Sequence, residues 1–221
     1  MEIFNVLNFD LIPLTLRLAV PIALAAVGGT FSERSGIINI GLEGMMLTGA
    51  FGAVYGSYIT NSAWMGVLFA CIAGIIVGSI HAVLTIKYKA HQVVTGVGIN
   101  ILAMGFTTTM INVIWDKEGM TGEVQNLANI SVPILKDIPI ISWLFTKQSP
   151  LTYFMLFVVF LGWYVLFKTN IGLNLRAIGD HPQAARISGI NVTVYRYVCV
   201  ILSGFLAGLG GAFLSLVQNS L

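Results

Sequence analysis

The sequence predicts an all-α protein: a polytopic bundle of about six transmembrane helices. Three observations predict it. First, 57% of the 221 residues are hydrophobic and only 9% are charged, whereas soluble domains carry roughly 25% charged residues. So few charges cannot cover a water-facing surface, and a mean hydropathy of +0.88 points to lipid as the solvent. Second, residues 44–86 contain no Asp, Glu, Lys or Arg, whereas ~20 apolar residues suffice to cross a bilayer. Third, glycine reaches 24 residues, although it lowers helix propensity in water. In membranes, small residues let helices approach closely.

The spans follow in chain order. The first is expected over 11–30 and is read as retained, because Glu2 and Asp10 stand where a cleavable leader carries basic residues. Two spans fit within 44–86, with a turn at "ITNSA", 59–63. The others are expected over 92–115, 150–167 and 197–217, within one transmembrane domain that covers residues 1–221. The stretch 116–150 mixes charges with Pro133, Pro139 and the run "IPIISWLF". It reads as an external loop with a short interfacial helix anchored by Trp143. Cys71 and Cys199 fall inside apolar runs and read as buried free thiols, with no ligand cluster beside either one.

Lys and Arg set the orientation. One side collects Arg34, Lys87, Lys89, Lys168, Arg176, Arg186 and Arg196; the other holds Lys117, Lys136 and Lys147 among Asp116, Glu118, Glu123 and Asp137. The first side is therefore expected in the cytoplasm, with the N-terminus outside. Arg17 lies inside the first span, where it either snorkels to the outer headgroups or pairs within the bundle.

Small residues recur every fourth position and so line helix faces. They are Gly44, Thr48, Gly52 and Gly56; then Gly66, Ala70, Gly74, Gly78 and Ala82; then Ser203, Ala207, Gly211 and Ser215. These stripes predict close helix contacts. Among polar positions within spans, Asn39 and Glu43 are four apart and are expected to share one helix face. Glu43 either makes a structural hydrogen bond near a helix N-terminus or borders a polar pathway. Asn100, Thr108 and Asn112 form a second polar stripe, either pathway wall or interhelical glue.

The motifs of an enzyme are missing. There is no G-x-x-x-x-G-K-[S/T], H-E-x-x-H or G-x-S-x-G, and His81, His91 and His181 lack metal-ligand spacing. No catalytic residue, metal or cofactor is expected, and the chain reads as a conduit driven from elsewhere. The polar stretch "NLRAIGDHPQAARISGINV", 174–192, lies between two spans. Asp180 and Gln183 have the N-cap to N3 spacing of a capping box, Pro182 suits the first turn, and Gly189 suits a left-handed stop. A short helix is expected over 181–188. Small Ala184 and Ala185 are read as its contact surface, with Arg176 and Arg186 holding it in the cytoplasm.

"GLNLRAIGDHPQAARISGINV" resembles the coupling segment of ABC-importer permeases of the branched-chain amino acid, ribose and simple-sugar superfamily. "FSERSGIINIGLEGMMLTGAFGA" and "AHQVVTGVGINILAMG" resemble more narrowly the permeases of bacterial nucleoside importers. The resemblance implies a permease that pairs with a second, identical or different permease. It also implies two cytoplasmic ATPases, which hydrolyse the ATP, and an external nucleoside-binding lipoprotein. Carried onto this sequence, it makes 168–196 the coupling segment and 180–189 the coupling helix, including Pro182 and Gly189. Residues 38–44 would line the translocation region. Permeases of this type continue beyond the point where this sequence ends, so the resemblance also implies a C-terminally truncated form. The alternatives keep the machine and change the cargo to ribose, another sugar or a branched-chain amino acid, or make the chain an ion-coupled transporter with Glu43 as its proton site.

Overall fold

A computed structural model describes residues 11–116, 125–128 and 148–218. It is helical in the order α1 (Leu11–Arg34), α2 (Leu42–Thr60), α3 (Ala63–Ala82), α4 (Gln92–Trp115), α5 (Pro150–Lys168), α6 (Asn170–Asp180), α7 (Pro182–Ile187) and α8 (Val192–Phe213). π-helical turns, Val83–Lys87 and Leu214–Gln218, continue α3 and α8. The interfacial helix expected around Trp143 lies outside the described residues, as do Lys117, Lys136 and Lys147.

Five of the six long helices are long and apolar enough to cross a membrane. The sixth, α2, falls short in hydropathy, since Glu43 and its run of glycines, serine and tyrosines dilute the apolar side chains. It is instead packed between α3, α4 and α8. Helix α8 is the centre of the bundle and packs on α1, α2 and α3. Its most apolar window is 78% buried, against 17% for α4, which joins the bundle mainly through α2.

The small-residue stripes explain this arrangement. All thirteen stripe positions are buried. Where α3 crosses α8, a methyl group at Gly74 or Gly204 would strike the other residue's backbone carbonyl. Only glycine permits that approach, and dispersion between closely fitted backbones replaces the hydrophobic drive that lipid removes.

Antiparallel packing sorts the polar contacts to the two ends. At one end Arg17 Nε donates to Gln148 Oε1 (3.2 Å), Ser57 Oγ donates to the Gln125 carbonyl (3.1 Å), and Leu127 N–H donates to the Leu216 carbonyl (3.1 Å). Arg17 thus pairs within the bundle, with a glutamine that is fully buried. At the other end Arg196 Nε donates to the Ser35 carbonyl (3.0 Å) and ties the close of α1 to the start of α8. Both cysteines are free thiols, Cys199 buried and Cys71 half-buried.

Candidate functional site at a helix break

The chain leaves the helical path between α1 and α2, at a level packed against other helices. Helix α1 stops at Gly36, whose φ of +84° is a left-handed conformation that glycine adopts at little cost. Residues 37–41 are not helical, and α2 starts at Leu42. Irregular backbone at membrane depth must find hydrogen bonds from protein or from a water-filled cavity. Here two side chains of α4, one from the end of α1 and one within the break supply them.

Gln92, the first residue of α4, accepts from Ile38 N–H (2.8 Å) and donates to the Gly36 carbonyl (3.4 Å). Ser32 Oγ donates to the Ile37 carbonyl (2.7 Å). Asn39 Nδ2 donates to Ser203 Oγ of α8 (2.7 Å), while its Oδ1 accepts from Gly41 N–H (3.0 Å). Asn100 Nδ2 donates to the Ile40 carbonyl (3.2 Å), and its Oδ1 accepts from Gly44 N–H (2.8 Å). The carboxamide of Asn100 is therefore a cap supplied from another helix, at the position usually served by the residue preceding the helix. His81, at the end of α3, is fully buried nearby, and neither ring nitrogen has a hydrogen-bond partner among the described residues.

Glu43 is exposed in the first turn of α2, where a carboxylate complements the positive end of the helix. The Leu42 and Glu43 N–H groups have no intrahelical acceptor there. Exposed Ile38 and Ile40 lie beside them. This exposed corner offers donors and one acceptor group to a polar molecule. No group of three or more His, Cys, Asp or Glu able to hold a metal occurs among the described residues.

Several expected groupings do not form. Asn39 and Glu43 share no helix face, because Asn39 precedes α2 and is buried against Ser203, while Glu43 points outward. Asn39 is a clamp of the break rather than a lining group. Asn100 faces the break, but Thr108 and Asn112 do not continue its face. They stand roughly 80° and 120° around the helix from it at ~100° per residue, with Asn112 about 18 Å along the axis, and both are exposed. Thr108 bonds its own helix at the Met104 carbonyl (2.8 Å). The threonine buried in α4 is Thr107.

The polar stretch also folds differently. Thr169 Oγ1 accepts from Gly172 N–H (3.3 Å) and starts α6, an amphipathic helix that runs to Asp180. Asp180 ends that helix and caps nothing. The next helix, α7, begins at Pro182 after His181, with no side-chain cap, so the capping box does not form. Thr169→Ala is expected to cost about 1 kcal/mol of stability and Asp180→Ala less than about 0.5 kcal/mol, as thermal unfolding of the solubilised protein will read. Gly189, with φ +83°, does end α7.

The side of α7 that meets the bundle is Ala185, packed with Ile178 and Val192 against Ile190 and Tyr195. Ala185 is 4% exposed and is therefore not a docking surface. The outer side carries Gln183, Ala184 and Arg186, all exposed, around Ile187, which is 89% exposed. Arg176 lies in α6, its guanidinium 5.6 Å from the centre of the Phe167 ring. Gln92, Thr169 and Ile187 escaped the sequence reading, and Ser203 was read only as a small packing residue. Thr169 was findable, because Ile171, Leu175 and Ile178 follow it at helical spacing. The tie between Asn39 and Ser203 spans 164 positions and left no local signal.

A bundle of close-packed apolar helices, with a cross-tied break between α1 and α2 and a short braced helix between two spans, is the build of a multi-pass membrane protein. The chain belongs to the family described as branched-chain amino acid transport system / permease component, whose model matches residues 11–220. It is similar to the guanosine ABC transporter permease protein NupQ of Bacillus subtilis strain 168, with 40% identity over 218 residues. It is also similar to the nucleoside ABC transporter permease protein NupC of Lactococcus lactis subsp. cremoris strain MG1363, with 38% identity over 219 residues. Each alignment covers 96% of this chain and 68% of the relative. A putative glucose ABC transporter permease protein, TsgC13 of Haloferax volcanii, is 35% identical over 207 residues, covering 94% of this chain and 63% of the relative. No solved structure matches. The chain is thus an ABC transporter permease component and not itself the catalyst, and that membership implies ATPase and binding-protein partners in general. The ion-coupled alternative, with Glu43 as proton site, is set aside by the same membership.

Proposed function

We propose that this chain is the permease of an ATP-driven nucleoside importer, and that α7 is its joint to the ATPase. The observation that carries the joint is Ile187: a large apolar side chain, 89% exposed, at the end of a helix whose other side is packed on the bundle through Ala185. An isolated helix of this length is marginal in water. Here α6, Gly189 and the Ala185 contact brace it, so its tip is presented on a firm base. Ile187, Ala184 and Arg186 form the seat for the ATPase, and residues 168–196 are the coupling segment. The transport pathway runs past the exposed corner at Glu43 and along the exposed side of α4 with Thr108 and Asn112. A second permease closes the far wall, and an external binding lipoprotein delivers the cargo.

Nucleoside as cargo is favoured by the two relatives named for guanosine and nucleoside transport. The relative named for glucose supports a sugar as the second reading. In proteoliposomes holding the complete transporter, labelled guanosine is expected to accumulate with ATP, with unlabelled nucleosides competing and glucose not. Competition by glucose alone would move the assignment to a sugar.

The excess of Lys and Arg around α6 and α7 supports a cytoplasmic location for that end, with residues 125–128 outside. Single cysteines at exposed Asn126 and Ser188, in a chain lacking Cys71 and Cys199, are expected to label from opposite faces of intact cells. Reaction of the Ser188 position with an impermeant reagent from outside would reverse the orientation.

A further inference from the structure

A cavity of about 430 Å³ lies between the last turns of α1 and α6, lined by Thr30, Glu33, Arg34, Arg176, Gly179 and Asp180. The two helices cross there closely: a Cβ at Gly179 would stand 2.5 Å from the Arg34 carbonyl oxygen. The cavity holds two guanidiniums and two carboxylates, and no ion pair joins them among the described residues. Such a wall is neutral in sum yet carries both charges unpaired, which suits a zwitterion better than a simple anion.

Its surroundings belong to a membrane surface. Arg176 stacks on Phe167, an exposed residue in the last turn of the span α5. Helix α6 also exposes Ile171 and Leu173, more than half accessible, beside its polar residues. An amphipathic helix of this kind lies in the headgroup layer. Charged groups at that depth meet lipid phosphates, and guanidinium is the side chain best shaped to hold one.

We infer that this cavity binds the headgroup of a phosphatidylethanolamine-type lipid, a phosphodiester bearing a primary ammonium. Arg34 and Arg176 hold the phosphate; Glu33 and Asp180 accept hydrogen bonds from the ammonium. A choline headgroup has no N–H to donate, and a glycerol headgroup leaves both carboxylates without a cation.

Native mass spectrometry of the protein, extracted from vesicles of equal phosphatidylethanolamine, phosphatidylcholine and phosphatidylglycerol, tests the inference. Retention of phosphatidylethanolamine is expected to exceed that of either competitor about tenfold, the worth of one charge-assisted hydrogen bond. The paired change Arg34→Gln with Arg176→Gln abolishes that retention. Glu33→Gln with Asp180→Asn removes the preference over both competitors, because both depend on the carboxylates, and leaves phosphate-dependent retention of all three lipids. Lys89→Gln, an exposed charge elsewhere, changes nothing. Equal retention of the three lipids, or undiminished retention in the paired arginine variant, overturns the inference. Displacement of the lipid by soluble phosphoethanolamine at equal concentration also overturns it, in favour of a site for a free metabolite. The outcome is independent of the ATPase joint, because Ile187→Glu leaves this cavity untouched.

Discussion

Changing Ile187 to glutamate is expected to weaken association with the ATPase by roughly ten- to a hundredfold, the loss of one buried isoleucine, while the chain inserts and folds as before. The side chain is 89% exposed, so its replacement removes no contact within the chain. A carboxylate in an apolar seat adds a desolvation cost on top of the lost burial. Pull-down of the ATPase and cargo-stimulated ATP hydrolysis, both measured in the assembled transporter, read the two consequences. Normal values for both would reduce α7 to a connector. Ala185→Glu cannot serve as this test, since it drives a charge among Ile178, Val192 and Tyr195 and would disturb the chain's own packing.

The second large effect is expected at the break. Asn39→Leu keeps the number and branching of the side-chain heavy atoms but removes the bond to Ser203 and the one accepted from Gly41. Leaving buried polar partners unsatisfied costs about 2 kcal/mol, so the unfolding temperature and uptake are expected to fall together. Glu43→Gln separates structure from pathway. The Glu43 carboxylate is exposed and its only stabilising role is at the helix start, worth about 0.5 kcal/mol, so the unfolding temperature is expected to change far less than in Asn39→Leu. Uptake is expected to fall if cargo passes this corner. Unchanged uptake in Glu43→Gln would remove the α2 start from the pathway, whatever Asn39→Leu does.

Composition and periodicity alone determined a great deal. The solvent, the helical class, the positions of the long helices and the thirteen small residues that face other helices could all be read from the sequence, because each depends on local pattern. Lipid rejects charge wherever it occurs, and a four-residue spacing is one helix face in any fold. The left-handed stop at Gly189 belongs to the same group, since glycine's freedom at positive φ is a property of the residue.

Tertiary structure decided the roles of the polar side chains. Asn39, four residues before Glu43, looked like its helical neighbour, yet the helix starts only at Leu42 because Asn100 and Gln92 of α4 satisfy the broken backbone, while Ser203 of α8 holds the Asn39 side chain. Asp180 had the spacing of a cap and became a helix end, because Thr169 had already started α6. Ala184 and Ala185 are adjacent and alike in sequence, but the turn of α7 buries Ala185 and leaves Ala184 outside. In each case a polar or small residue suits several local uses equally well. Which use it takes depends on partners brought from distant positions by the packing of α8 and α4, and that packing is not written in any local spacing.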